Sequence, residues 1–153
     1  MNTQDLIKLV QDIVRDATAL KDELTDEKFA PVNYAAIFSQ NEASYEELLL
    51  VSGKLGKVIE HTPTGDLFEV EPIDTVSGKL RLLKVRNPDM TRKENGDADF
   101  TVENYADFKD ACSANPGFNL IERDAYEMIE LTKPGSKVRA YFSNPPLDKE
   151  LGI

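Results

Sequence analysis

"NGDADFTV", Asn95 to Val102, sets two aspartates one residue apart behind an Asn-Gly pair. Two readings compete: a metal-binding loop, or a turn feeding an ordinary strand. Alternation favours a strand, because Ala98, Phe100 and Val102 fall on one face and Asp97, Asp99 and Thr101 on the other. An EF-hand loop needs oxygen ligands spread over ~12 residues with a closing Glu. Here apolar Phe100 and Val102 occupy positions where ligands should fall. The Asn-Gly pair then reads as the turn that opens the strand.

The flanking sequence repeats this order. "NYAAIFS" reads as a strand, and "NEASYEELLLVSGKLG" as a helix opened by Asn41 and stopped near Gly56. "KVIEHT" and "GDLFEVEP" form a hairpin around "PTG", and "GKLRLLKVRNP" is a further strand. After the polar link "DMTRKENG" come a strand at "DADFTV", a helix at "NYADFKDACSANPG", and strands at "FNLIER", "AYEMIELT" and "SKVRAYFSNPP". The order β-α-β-β-β therefore occurs twice. Asn33 matches Gly96 at an offset of 63 (96 − 33), which pairs Tyr45 with Phe108. "RNP" at Arg86 to Pro88 matches "SNP" at Ser143 to Pro145 at an offset of 57 (144 − 87). The six-residue difference is assigned to the connection "PIDTVSG" against "KPG".

Ahead of the repeats, Leu6, Leu9, Val10, Ile13, Ala17, Leu20 and Leu24 recur at three- and four-residue steps. They predict an amphipathic helix over 3–24, packed on its own domain, and "KFAPVN" ends it. The whole is one domain over 1–153, with modules at 33–88 and 96–146.

Composition bounds the function. The chain has 28 acidic and 18 basic residues, a net charge of −10, and no cluster of Lys and Arg, which argues against nucleic acid and acidic membranes. No stretch approaches the ~20 apolar residues of a membrane span, and "MNTQDLIKLV" has no signal-peptide pattern. Cys112 stands alone, so no internal disulfide forms, and a buried structural thiol is expected. A cytoplasmic location follows as an expectation. One histidine, His61 beside a hairpin turn, leaves no material for a Ser-His-Asp or Cys-His arrangement. "KPGSK" and "VSGKLGK" are too short for phosphate loops.

Two β-α-β-β-β modules in a chain of this size resemble the vicinal oxygen chelate superfamily of glyoxalase I, extradiol dioxygenases and bleomycin-resistance proteins. "LFEVEP", "LRLLKVRNP" and "GDADFTV" also resemble the small bacterial YecM-like proteins, which carry a helical segment before the same core. The resemblance spans about 33–146. It implies an α+β fold in which paired curled sheets enclose a concave surface, with the helices outside. It also implies a divalent metal held from the first and fourth strand of each module. Carried onto this chain, those positions are Tyr34, Arg86, Asp97 and Ser143. Only Asp97 is a metal ligand by type, and Arg86 would set a cation in the metal's place. No metal and no other cofactor is expected.

Strand alternation assigns Tyr34, Glu69, Lys84, Arg86, Asp97, Asp99, Glu130, Arg139 and Tyr141 to the concave face, with Glu69 and Glu130 matched across the repeats. Such a face can be merely wet, its charges paired across strands, or it can hold a ligand. The expectation is a small polar or anionic molecule anchored by Lys84, Arg86 and Arg139. Tyr34 and Tyr141 would give walls and hydroxyls, and Asp97 and Asp99 would select hydrogen-bond donors. The sequence leaves catalysis open. The rival readings are a metal-dependent lyase, isomerase or dioxygenase with carboxylate ligands, and a non-enzymatic interaction protein that docks a partner or a second copy, as a homodimer, through its first helix.

Overall fold

The computed structural model describes residues 1–153. Helix α1 runs Thr3–Leu24, and its start follows from a reciprocal cap. The Asn2 side chain accepts from the Asp5 amide (2.8 Å), and Asp5 accepts from the Asn2 amide (2.9 Å). Leu6, Val10, Ile13, Val14, Ala17 and Leu20 are buried along one stripe. Lys21 lies on the same stripe with no exposed surface. Its ammonium sits 5.3 Å from the Phe100 ring centroid and donates to Asp22 Oδ1 (2.7 Å) and the Glu27 carbonyl (2.5 Å). The stem is thus apolar packing and the charge is satisfied at its tip.

Two units follow. The first is β1 (Val32–Phe38), α2 (Glu42–Leu55), β2 (Gly56–Thr62), β3 (Gly65–Thr75) and β4 (Gly78–Arg86). The second is β5 (Gly96–Phe100), α3 (Tyr105–Cys112), β6 (Phe118–Glu122), β7 (Glu127–Leu131) and β8 (Val138–Asn144), with a short α4 (Leu147–Glu150) after it. Equivalent asparagines open the two module helices. Asn41 accepts from the Ser44 amide and Asn104 from the Asp107 amide, an offset of 104 − 41 = 63.

The eight strands form one sheet in the order β2-β3-β4-β1-β5-β8-β7-β6. β1 runs parallel to β4, β5 runs parallel to β8, and β1 and β5 pair antiparallel at the seam. The curled sheets expected from the sequence are therefore halves of one continuous sheet. Ala36 lies opposite Lys84 and Asp99 opposite Tyr141, so the fourth strands correspond at 141 − 84 = 57 when the first strands correspond at 99 − 36 = 63. Both offsets read from the sequence are those of the strand register.

Three local readings are corrected. Gly96 is the first residue of β5 rather than a turn residue, paired with Ile37 and Val138. A Cβ there would stand 2.2 Å from the Ala36 carbonyl oxygen and 2.9 Å from Ile13 Cδ1, so glycine is what lets the seam close. The segment "PIDTVSG" is mostly strand: Ile73 pairs with Leu80 and Thr75 with Gly78, leaving Val76-Ser77 as a tight turn. Glu69 and Glu130 are not equivalent. Leu67 lies opposite Lys84 and Glu130 opposite Tyr141, so the counterpart of Glu130 is Leu67.

Helices α1, α2 and α3 cover one face of the sheet. Ala35, Ile37, Leu83, Val85, Ala98, Phe100, Ala140 and Phe142 share a continuous core with them. Phe100, Phe108 and Phe142 pack at centroid distances of 5.9 and 4.4 Å about Phe142. α1 lies on strands of both modules, with Leu6, Val10, Ile13, Val14, Ala17 and Leu20 buried there and Ile7, Leu9 and Leu24 partly covered. A partner docked on this helix would therefore meet its outer face rather than the buried stripe. Cys112 ends α3 as a buried thiol, and burial pushes it up to about 11. No helix is long and apolar enough to cross a membrane.

Candidate functional site

The face opposite the helices gathers the charged residues, and register orders them. Across the centre run Lys84, Ala36, Asp97 and Arg139, on β4, β1, β5 and β8. Beside them Tyr34, Asp99, Tyr141, Glu130 and Asn119 cross from β1 to β6. Glu69 lies farther out, opposite Leu82 on β4, and its side chain engages no hydrogen bond or ion pair.

The second module's half of this face is paired internally. Arg139 donates through Nε and Nη2 to the two oxygens of Glu94 (2.6 and 3.2 Å), and through Nη1 to Glu130 Oε2 (3.1 Å). The Tyr141 hydroxyl donates to the same Glu130 oxygen, and Asn119 to the other (3.3 Å). Burial alone would raise Glu130, but the bonds from Tyr141 and Asn119 and the Arg139 charge outweigh it and hold its carboxyl below the usual range. Glu94 is lowered in the same way, burial being outweighed by its Arg139 bonds. Asp99, with no exposed surface, accepts from the Ser143 hydroxyl and from the Ser143 amide (3.3 Å). Burial still pushes it up to about 7.

The first module's half is different. Arg86 and Arg92 stand 5.7 and 5.4 Å from the Phe38 ring centroid. Arg92 arrives from the loop between the modules, where its Nη1 donates to the Tyr141 hydroxyl (3.3 Å) and its Nε lies 3.7 Å from Asp89. Lys84 has no bonded partner, and Arg86 Nε is buried without one. Burial lowers both cations. The like charge of Arg86 adds to the effect on Lys84, and that of Arg92 to the effect on Arg86. Asp97 is 5% exposed, and its Oδ1 also lacks a partner. Burial pushes it up to about 7, against the pull of Arg86, Arg92, Lys84 and Arg139. Tyr34, opposite Asp99, is raised by burial and by both aspartates.

The face therefore brings together eight of the nine predicted residues, with Glu69 outlying. Arg139 is not a free anion anchor, because two glutamates hold it, and the Tyr141 hydroxyl is committed to Glu130. Arg92 and Glu94 were missed in the sequence, where "DMTRKENG" shows only a polar link. Two cavities lie elsewhere. One, of about 240 Å³, opens between the start of α1, α2 and the end of β1. The other, of about 460 Å³, lies between the end of α1 and α3.

A metal of the chelate kind does not fit these residues. Of the four family positions, Arg86 is a cation, Tyr34 is a phenol held neutral, and Ser143 is bonded to Asp99. No group of three or more His, Cys, Asp or Glu side chains is placed to hold an ion anywhere in the chain. His61 is far exposed, its Nδ1 2.7 Å from Asp66.

No family model matches the sequence, and no curated protein matches it. Among solved structures, a structural-genomics protein designated EC4020 is similar over 94% of this chain and 91% of its own, at 15% identity and a TM-score of 0.66. A glyoxalase/bleomycin resistance protein/dioxygenase superfamily member from Vibrio splendidus 12B01 gives a TM-score of 0.43 at 6% identity, covering 74% of this chain and 97% of its own. A methylmalonyl-CoA epimerase from Mycobacterium tuberculosis gives 0.42 at 9% identity, covering 75% and 88%. Over nearly its whole length the chain shares its fold with the EC4020 protein, and its two β-α-β-β-β units, joined through β1 and β5 with the helices on one face, have the arrangement that the resemblance to the vicinal oxygen chelate superfamily implies.

Proposed function

We propose that this protein binds a small anionic molecule on the open face of its sheet, against Lys84, Arg86 and Arg92. The observation that carries the reading is the imbalance between the two halves of that face. Arg139 is saturated by Glu94 and Glu130, whereas Lys84 and Arg86 are half-buried with no acceptor bonded to either side chain, and Arg86 Nε is itself buried and unpartnered. A desolvated cation without an acceptor is costly, and an anion drawn to it relieves that cost. Phe38 fixes both guanidiniums, so the anchor is largely preformed. The acidic, single-cysteine composition supports a cytoplasmic binding protein that does not contact nucleic acid.

Thermal denaturation with increasing phosphate or succinate, at fixed ionic strength set with sodium chloride, tests this. Saturable stabilisation is expected in the parent chain, lost in Arg86→Gln and in Lys84→Gln. Equal stabilisation of parent and variants would refute the site.

A further inference from the structure

Three buried side-chain atoms lack a hydrogen-bond partner: Ser52 Oγ in α2, Arg86 Nε and Asp97 Oδ1. Two of the three share the open face, and their chemistry is opposite. Arg86 Nε is a donor without an acceptor, and Asp97 Oδ1 is an acceptor without a donor. They do not satisfy each other, although among the cations Arg86 exerts the strongest pull on Asp97. Register explains why. Arg86 lies opposite Phe38 and Asp97 opposite Ala36, so the two are diagonal across β1, two strand spacings across and two residues along, about 12 Å apart between backbones. Between them the floor is Ala36, a single methyl, with Lys84 on its other side.

From this pairing of orphaned atoms, and resting on the anion reading above, we propose that the ligand is a small hydroxy acid. Its carboxylate is received by Arg86 and Lys84, and its hydroxyl donates to Asp97 Oδ1. A carboxylate alone would satisfy the cations and leave Asp97 bare. An amino acid would bring an ammonium donor among Lys84, Arg86 and Arg92, where like charge opposes it. A hydroxyl meets the acceptor without that repulsion. A site built to bond a hydroxyl discriminates strongly against the analogue that lacks it, because its own buried group is then left unpaired.

The probes are succinate, L-malate and D-malate, which differ only at one hydroxyl and its hand, titrated calorimetrically at pH 8, with phosphate as a second anion. One malate enantiomer is expected to bind at least about tenfold more tightly than succinate. In Asp97→Ala that ratio should fall to near one, while loss of the Asp97 charge beside Lys84 and Arg86 changes the affinity for succinate and both malates alike. Phosphate binding reports that the variant is folded. Asp97→Asn, the isosteric variant, should lose part of the preference. Equal affinity for succinate and both malates in the parent chain overturns the hydroxy-acid assignment, as does a ratio that survives in Asp97→Ala. Phosphate binding with no dicarboxylate binding overturns it too, while sparing the anion site. No binding of any of the four sinks both.

Discussion

Asp97 and Arg139 are direct partners in the parallel β5–β8 ladder, yet they do not bond. The Arg139 guanidinium turns away to Glu94 and Glu130, and Asp97 keeps a buried oxygen with no partner. For that carboxylate burial outweighs the pull of the surrounding cations, Arg139 being committed elsewhere, and the pH dependence of stability follows from it. Asp97 and Asp99 sit at about 7, above the ordinary 3.8, so the folded chain holds protons that the unfolded chain has released. Their contribution is complete below about pH 4 and is lost as pH rises toward and through 7. Glu94 and Glu130, held low, act oppositely: their contribution is present above the usual glutamate range and is lost as acid protonates them. Stability should therefore peak in mildly acidic solution. From pH 5.5 to 8 it should decline by an amount on the order of a few kcal/mol. Urea denaturation across that range measures it. Asp97→Asn should be more stable than the parent at pH 8 and show a shallower decline. A flat parent profile would refute the account.

Removing Arg139 has a different signature. Arg139→Ala leaves Glu94 and Glu130 facing each other without their shared cation, and breaking such a partly buried cluster costs about 3 kcal/mol. Arg139→Met keeps the stem but not the charge, and should cost nearly as much if charge, rather than packing, is what matters. Pairing the change with Glu94→Gln should recover part of the loss, which a double-mutant cycle in urea detects. Additivity within error would show that the cluster is not coupled.

Much of this arrangement is legible in the sequence because it is periodic. The amphipathic stripe from Leu6 to Leu20 marks α1, and the Tyr45–Phe108 and RNP–SNP matches mark the repeat. Period-two alternation sends Lys84, Arg86, Asp97, Asp99, Arg139 and Tyr141 to one face. What escapes is what periodicity cannot carry. A two-residue slip preserves the face of every side chain, so alternation could not distinguish Leu67 from Glu69 as the counterpart of Glu130. Arg92 and Glu94 reach the face from a loop, where spacing gives no direction. Asn-Gly is a turn signal by default, and only the strand seam shows that Gly96 is there for want of a Cβ.

Two glycines should therefore respond with opposite sign. Gly96→Ala places a methyl 2.2 Å from a backbone oxygen that cannot yield without opening the β1–β5 seam, and a loss of 3 kcal/mol or more is expected, about the cost of forced overpacking. Gly53 lies exposed inside α2, with nothing within 4 Å of an added Cβ. Gly53→Ala should stabilise the chain by about 0.5–1 kcal/mol, the helix-propensity difference between the two residues. Denaturation midpoints of the two variants check both. A tolerated Gly96→Ala would mean the seam is looser than the register implies.

The first helix should prove indispensable to the fold. Val10, Ile13, Val14 and Ala17 are buried against strands of both modules, and Lys21 lies over Phe100. Deleting residues 1–24 would expose the β1–β5 seam and the Phe100–Phe142 pair to water, a loss far exceeding the 5–15 kcal/mol by which an ordinary domain is stable. The truncated chain is expected to show no cooperative thermal transition and a collapsed spread of amide resonances. If it instead melts cooperatively within a few degrees of the parent, the helix is an appendage, its buried stripe is free to serve a partner, and the interaction-protein reading regains its ground.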